Sequence, residues 1–84
     1  MPAALALAPA TIRLAGEEIR VTSVWVDGQP IGRFRDLSTG RLRWQTDPAW
    51  GAIAMGDADT EAQALAALFN HYQYRERMLA GTAP

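Results

Sequence analysis

Apolar residues follow two different periods along this 84-residue chain, and the change between them falls near Gly56. Before that point, short runs alternate apolar with polar positions and are separated by turn-forming residues, as in strands with one buried face. Residues 11–14 are a β-prone run, and Ala15-Gly16-Glu17-Glu18 reads as the turn that ends it. Residues 19–26 are the longest strand candidate, rich in β-branched side chains, and Asp27-Gly28-Gln29-Pro30 stops them. Asp-Gly suits a hairpin turn that needs positive φ at both central positions, and Pro30 has no N–H to give a ladder. Residues 31–36 are the returning strand, Ser38-Thr39-Gly40 the next turn and residues 41–46 the next strand. Asp47-Pro48-Ala49-Trp50-Gly51 reads as a loop, because the residue before a proline avoids helix and Gly51 permits a sharp bend. Residues 52–55 then fit a short edge strand.

After Gly56 the period becomes helical. Thr60 followed three positions later by Gln63 matches a capping box, and Asp57, Asp59 and Glu61 sit where the positive end of a helix dipole favours carboxylates. The spacing predicts a helix over 61–80, with Gly81 as its C-cap and Arg75 and Arg77 near its negative end. Leu65, Leu68, Phe69, Tyr72 and Leu79 form one stripe. Glu76 falls within that stripe, so the last turns overhang the sheet or an arginine neutralises it. Ala67, His71, Tyr74 and Met78 form a second stripe, expected on the far side. The fold class is therefore α+β: an antiparallel β-meander of three to five strands packed against one C-terminal α-helix. Residues 1–10 are expected to be a flexible tail, 11–80 a single domain and 81–84 a short C-terminal tail.

Register decides which sheet surface the helix leaves free. If Phe34 faces Leu42 or Trp44, then Gly32, Phe34, Leu42 and Trp44 share the apolar face, and Arg33, Arg35, Arg41, Arg43 and Gln45 share the other. A one-residue slip would mix arginines with aromatics on both faces, so the pattern selects the segregated pairing. The strand at 19–26 has two readings. A two- or four-residue loop after it puts Ile19, Val21 and Trp25 on the core face, with Trp25 covering Gly32; a three-residue loop presents Val24 and Val26 instead. Trp44, Phe34 and Phe69 are expected to supply the largest apolar areas of the core.

Composition removes several functional classes. There is no cysteine, hence no disulfide framework, thiolate nucleophile or thiolate metal site. His71 is the sole imidazole. Asp57-Ala58-Asp59-Thr60-Glu61 begins like a calcium loop, but Ala62 stands where the sharp-turn glycine belongs and Leu68 where the bidentate glutamate belongs. No Gly-Lys-Ser/Thr follows Gly56, and no nucleophile, base and orienting group come at a telling spacing. No cofactor, no metal and no enzymatic activity are expected. The opening residues lack the basic region of a signal peptide, and no stretch approaches the roughly 18 apolar residues of a membrane span, so a cytoplasmic protein is expected.

The formal net charge is −1, yet all eight cationic side chains are arginine. Arg33, Arg35, Arg41 and Arg43, with Gln45, would gather a positive patch offset by Asp36 alone. Such a face is either the ordinary solvated side of an antiparallel sheet or a surface that engages a protein partner, and the expected function is a small non-catalytic adaptor, regulator or inhibitor. The alternative is a nucleic-acid-binding module, since a sheet laid into a groove can read DNA. An acidic pI of about 5.7 weighs against that alternative. The order of strands then helix over 19–80 resembles AP2-type modules at the level of fold, without a shared motif. Ala67, His71, Tyr74 and Met78 are the candidate self-association surface of a homodimer, because a two-fold contact favours a neutral, apolar patch.

Overall fold

Two tight turns of the same kind set up the first three strands. Ala15-Gly16 and Asp27-Gly28 each hold two successive residues at positive φ, 52° and 81° in the first, 51° and 79° in the second. That geometry matches the twist of antiparallel strands and closes hairpins with two-residue loops. The computed structural model describes residues 4–50 and 53–81. The turns join β1 (Leu5–Leu14), β2 (Glu17–Val26) and β3 (Gln29–Asp36); β4 (Leu42–Thr46), a 3-10 turn (Pro48–Trp50), β5 (Met55–Ala58) and α1 (Glu61–Gly81) follow. The five strands lie in chain order with every neighbour antiparallel, so the fold is an α+β meander with one C-terminal helix.

Several boundaries differ from the sequence expectation, including β2 and β3, which begin two residues earlier at Glu17 and Gln29. Leu5 to Ala10, assigned to a flexible tail, are the first part of β1, paired with Val26 to Val21 of β2. Asp27 ties down the start of this strand: its backbone N–H donates to Ala4 O at 2.9 Å, and its carboxylate accepts from Ala4 N at 2.8 Å. With Ala4 facing β2, the period of two places the Pro9 nitrogen on the open edge, where a missing N–H costs no ladder bond. The short edge strand expected at 52–55 occurs instead at Met55–Ala58, where Arg43 meets Asp57 and Trp44 meets Gly56. The N-terminal residues 1–3, Gly51, Ala52 and the tail residues 82–84 lie outside the described residues. The helix continues through Gly81, one residue past its expected end.

A β-bulge decides the faces of β2. The two-residue turn pairs Val26 with Gln29 and Trp25 with Pro30, but the register then shifts so that Val24 meets Gly32, with Ile31 as the extra residue. A bulge on one strand reverses the facing that turn length alone predicts. Val24 and Val26 are therefore fully buried beneath the helix, while Trp25 is 37% exposed on the opposite face. This overturns the reading that put Ile19, Val21 and Trp25 on the helix-side face; Val21 is buried, but on the opposite one. Leu68, rather than Trp25, covers Gly32: a Cβ there would come within 2.6 Å of the Leu68 Cδ2 atom and would also collide with the Gln45 carbonyl.

The core comprises Val24, Val26, Ile31, Phe34, Leu42, Ala58, Ala64 and Leu68, with Trp44, Trp50, Leu65, Phe69 and Tyr72 half-buried around it. Phe34 is buried as expected, whereas Trp44 and Phe69 are flanking groups. Capping begins the helix: Gln63 N–H donates to Thr60 Oγ1 at 3.2 Å, and Gln63 Oε1 accepts from Asp59 N–H at 2.9 Å. The helix packs mainly on β4, then on β3 and β5. Beyond Tyr72 it overhangs the sheet, leaving Glu76 exposed and Leu79 54% exposed. The second stripe is not on the far side, since the His71 and Trp44 rings lie 5.3 Å apart.

Two substitutions test this seat. Leu68→Ala should lower stability by about 2–5 kcal/mol, and Gly32→Ala should lower it by about 1–3 kcal/mol through overpacking against backbone. Urea unfolding followed by tryptophan fluorescence measures both. A change under about 0.5 kcal/mol for either variant would mean that the helix does not rest on Gly32.

Candidate functional site

With the helix on one face, the other face of β3 and β4 carries the arginines. Phe34 pairs with Trp44, Arg33 with Gln45 and Arg35 with Arg43, which is the segregated register. Arg33, Arg35, Arg43 and Gln45 thus share the open face. Arg33 Nη2 donates to Gln45 Oε1 at 3.5 Å, a long and weak contact.

Carboxylates engage two of the four arginines. Arg43 Nε donates to Asp57 Oδ1 at 2.9 Å, with Nη2 at 3.5 Å from Oδ2, across the β4–β5 pair. The Arg43 hydrogen bond holds the Asp57 carboxyl below the usual carboxylate range, and the same bond raises the Arg43 guanidinium. Arg41 precedes β4 and turns to Asp59 at 3.0 Å. The expectation that Asp36 alone offsets the patch is therefore corrected. Asp36 pairs with buried Leu42 and so belongs to the helix side, whereas Asp57 and Asp59 do the neutralising. Among the described residues, Arg33 and Arg35 form no ion pair.

Beside these two arginines is a cleft of about 170 Å³, which the sequence reading did not anticipate. Ile12 and Leu14 of β1 and Met55 of β5 line it together with Val21, Arg33 and Arg35. β1 and β5 are opposite edges of the sheet, so the sheet must curl for both to reach one cleft. The β1–β2 hairpin is long enough for this, because β2 pairs with β3 only from Thr22 onward and residues 11–21 extend past it. Val21 is 6% exposed although it lies outside the helix-side core. The signal was present in the chain as Ile12, Leu14, Ile19 and Val21, alternate apolar residues on either side of a two-residue turn.

No protein-family model, curated protein or solved structure matches this chain. The site therefore has to be read from its own chemistry. Among the described residues no group of three or more His, Cys, Asp or Glu side chains comes together, and no helix is long and apolar enough to cross a membrane.

The candidate self-association residues are divided by the structure. His71 is half-buried against Trp44, while Tyr74 and Met78 are 59% and 52% exposed. With Trp50, Ile53 and Arg75 these three residues line a groove of about 300 Å³ on the flank of the helix; Ala67 does not line it. The Arg75 guanidinium sits 5.0 Å from the Trp50 ring centroid, a cation–π contact that holds the 3-10 turn to the helix.

The Arg43–Asp57 pair predicts a pH dependence with a definite sign. Because folding depresses the Asp57 pKa, the pair contributes stability above the unfolded value of about 3.9 and loses it as pH falls through the folded value. The stability difference between the parent and Arg43→Gln should therefore shrink in acid, and urea titrations at neutral and acid pH would show it. A difference that stayed constant with pH would assign the effect of the substitution to packing.

Proposed function

We propose that this chain is a small non-catalytic protein-binding module, an adaptor, regulator or inhibitor, that engages its partner through the open face of the sheet. The observation that carries the reading is the joining of two kinds of contact at one cleft. Arg33 and Arg35, without ion pairs among the described residues, stand beside the apolar side chains Ile12, Leu14 and Met55. Methionine and arginine are both enriched at protein interfaces, whose fully buried centres are more apolar than the surrounding surface.

A duplex would use the same surface poorly. Nucleic-acid affinity comes mainly from phosphates meeting unpaired cations. Here Asp57 and Asp59 place two carboxylates against Arg43 and Arg41, and they would oppose a phosphate backbone. The apolar rim would add little to such a contact.

A photo-crosslinking amino acid at Met55, on the rim of the cleft, compared with one at exposed Gln73 on the helix, tests the reading in the cells that make the protein. Covalent protein adducts should form from position 55, should be lost on Arg33→Gln with Arg35→Gln, and should not form from position 73. Equal adducts from both positions would reject the open face as the binding surface. Duplex or single-stranded DNA binding that weakens steeply with salt and disappears in the arginine variant would replace this reading with the nucleic-acid one.

A further inference from the structure

From the spacing and surroundings of Arg33 and Arg35 we infer that the open face takes an extended acidic segment with carboxylates at alternate positions and an aliphatic residue next to them on the same side. The inference rests on the protein-binding reading above and adds the chemistry of the partner.

Three observations set that chemistry. Arg33 and Arg35 are alternate residues of one strand, so their side chains leave the same face about 6.6 Å apart along it. An extended partner repeats that distance between its own alternate residues. A helical partner would come near it only with acids three or four positions apart, so a preference for alternate acids is the mark of an extended one. Acid, any residue, acid in an extended chain therefore places one carboxylate against each guanidinium, and the planar fork of arginine suits that pairing.

The third position follows from the cleft. Its volume is about 170 Å³, and a cavity of roughly 150 Å³ with aliphatic walls holds a group the size of benzene. It therefore has room for a single aliphatic side chain. Ile12, Leu14, Val21 and Met55 provide the apolar surface for it next to the two arginines. Arg43 has a different part: its Nε and Nη2 are already directed at Asp57, so it holds one side of the site without offering its fork to the partner. The Asp57 carboxylate beyond it repels further acids on that side and so limits where the partner's carboxylates can lie.

The test uses a fluorescent peptide, Ser-Leu-Ser-Glu-Ser-Glu-Ser, titrated with the full chain and read by anisotropy. Two control peptides accompany it: one of the same composition with the glutamates adjacent, and one with leucine replaced by serine. The alternating peptide should bind at least about tenfold more tightly than either control, a difference that corresponds to one or two specific contacts. Arg33→Gln with Arg35→Gln should remove that preference while circular dichroism stays unchanged. Met55→Ser, at a side chain 59% exposed and so outside the core, should weaken binding several-fold. Equal binding of the alternating and rearranged peptides would reduce the contact to unspecific charge attraction and overturn the inference, and so would tight binding that survives both arginine replacements. Failure of the peptide with persistent cross-links from position 55 would discard the acidic-aliphatic chemistry and leave the protein-binding reading standing. Absence of cross-links with specific peptide binding would do the reverse.

Discussion

Leu68 presses onto the bare backbone of Gly32, and the placement of nearly every other group depends on that contact. The helix can come this close because β3 has no side chain at that point; a Cβ would meet both the leucine and the Gln45 carbonyl. Once Leu68 occupies the site, Phe34, two residues along β3, shares its face, and Arg33 and Arg35 must point the other way. Ala64, one turn earlier on the helix, is fully buried for the same reason. The arginine face is thus a consequence of where the helix rests as much as of the residues that compose it.

The contact also needs the bulge at Ile31. Without that extra residue, Ser23 would stand opposite Gly32, and Val24 and Val26 would turn outward. With it, Val24 lies opposite Gly32, and Val24, Val26 and Ile31 all become fully buried. The same shift leaves Trp25 37% exposed on the open face, and a single exposed apolar side chain is ordinary on a protein surface.

Much of this could be read from the chain, and the failures have specific causes. Asp27-Gly28 announced its turn because both residues needed positive φ, and Thr60 with Gln63 announced the helix start; both features are local. The facing of β3 and β4 was also legible, since pairing Phe34 with either Leu42 or Trp44 separates arginine from aromatic side chains; which of the two it meets, Trp44, is settled only in the folded sheet. The bulge was not legible, because an extra residue in a strand leaves no mark in an alternating pattern that is already interrupted by Pro30 and Gly32. Pro9 misled for a related reason. A proline signals a broken strand unless its nitrogen faces an open edge, and edge position is a property of the assembled sheet. The cleft was missed because Ile12, Leu14 and Met55 are more than forty positions apart at their extremes and meet only through sheet curvature.

Asp57 shows how one residue can hold fold and site together. Read locally, it was a helix-capping carboxylate, and the dipole argument for it was sound. In the folded chain it lies in β5 directly opposite Arg43, where opposite charges on adjacent strands favour this register over its neighbours. The same register puts Gly56 under the Trp44 indole, whose nearest ring atom would be 2.8 Å from a Cβ at position 56. Charge on one face and shape on the other therefore select the same alignment of β5. That alignment carries Met55 to the rim of the cleft and immobilises Arg43 beside it, so the pair that neutralises part of the positive face also defines the part that remains. Here it leaves two guanidiniums of one strand beside an apolar recess, the arrangement on which the proposed recognition of alternating carboxylates rests.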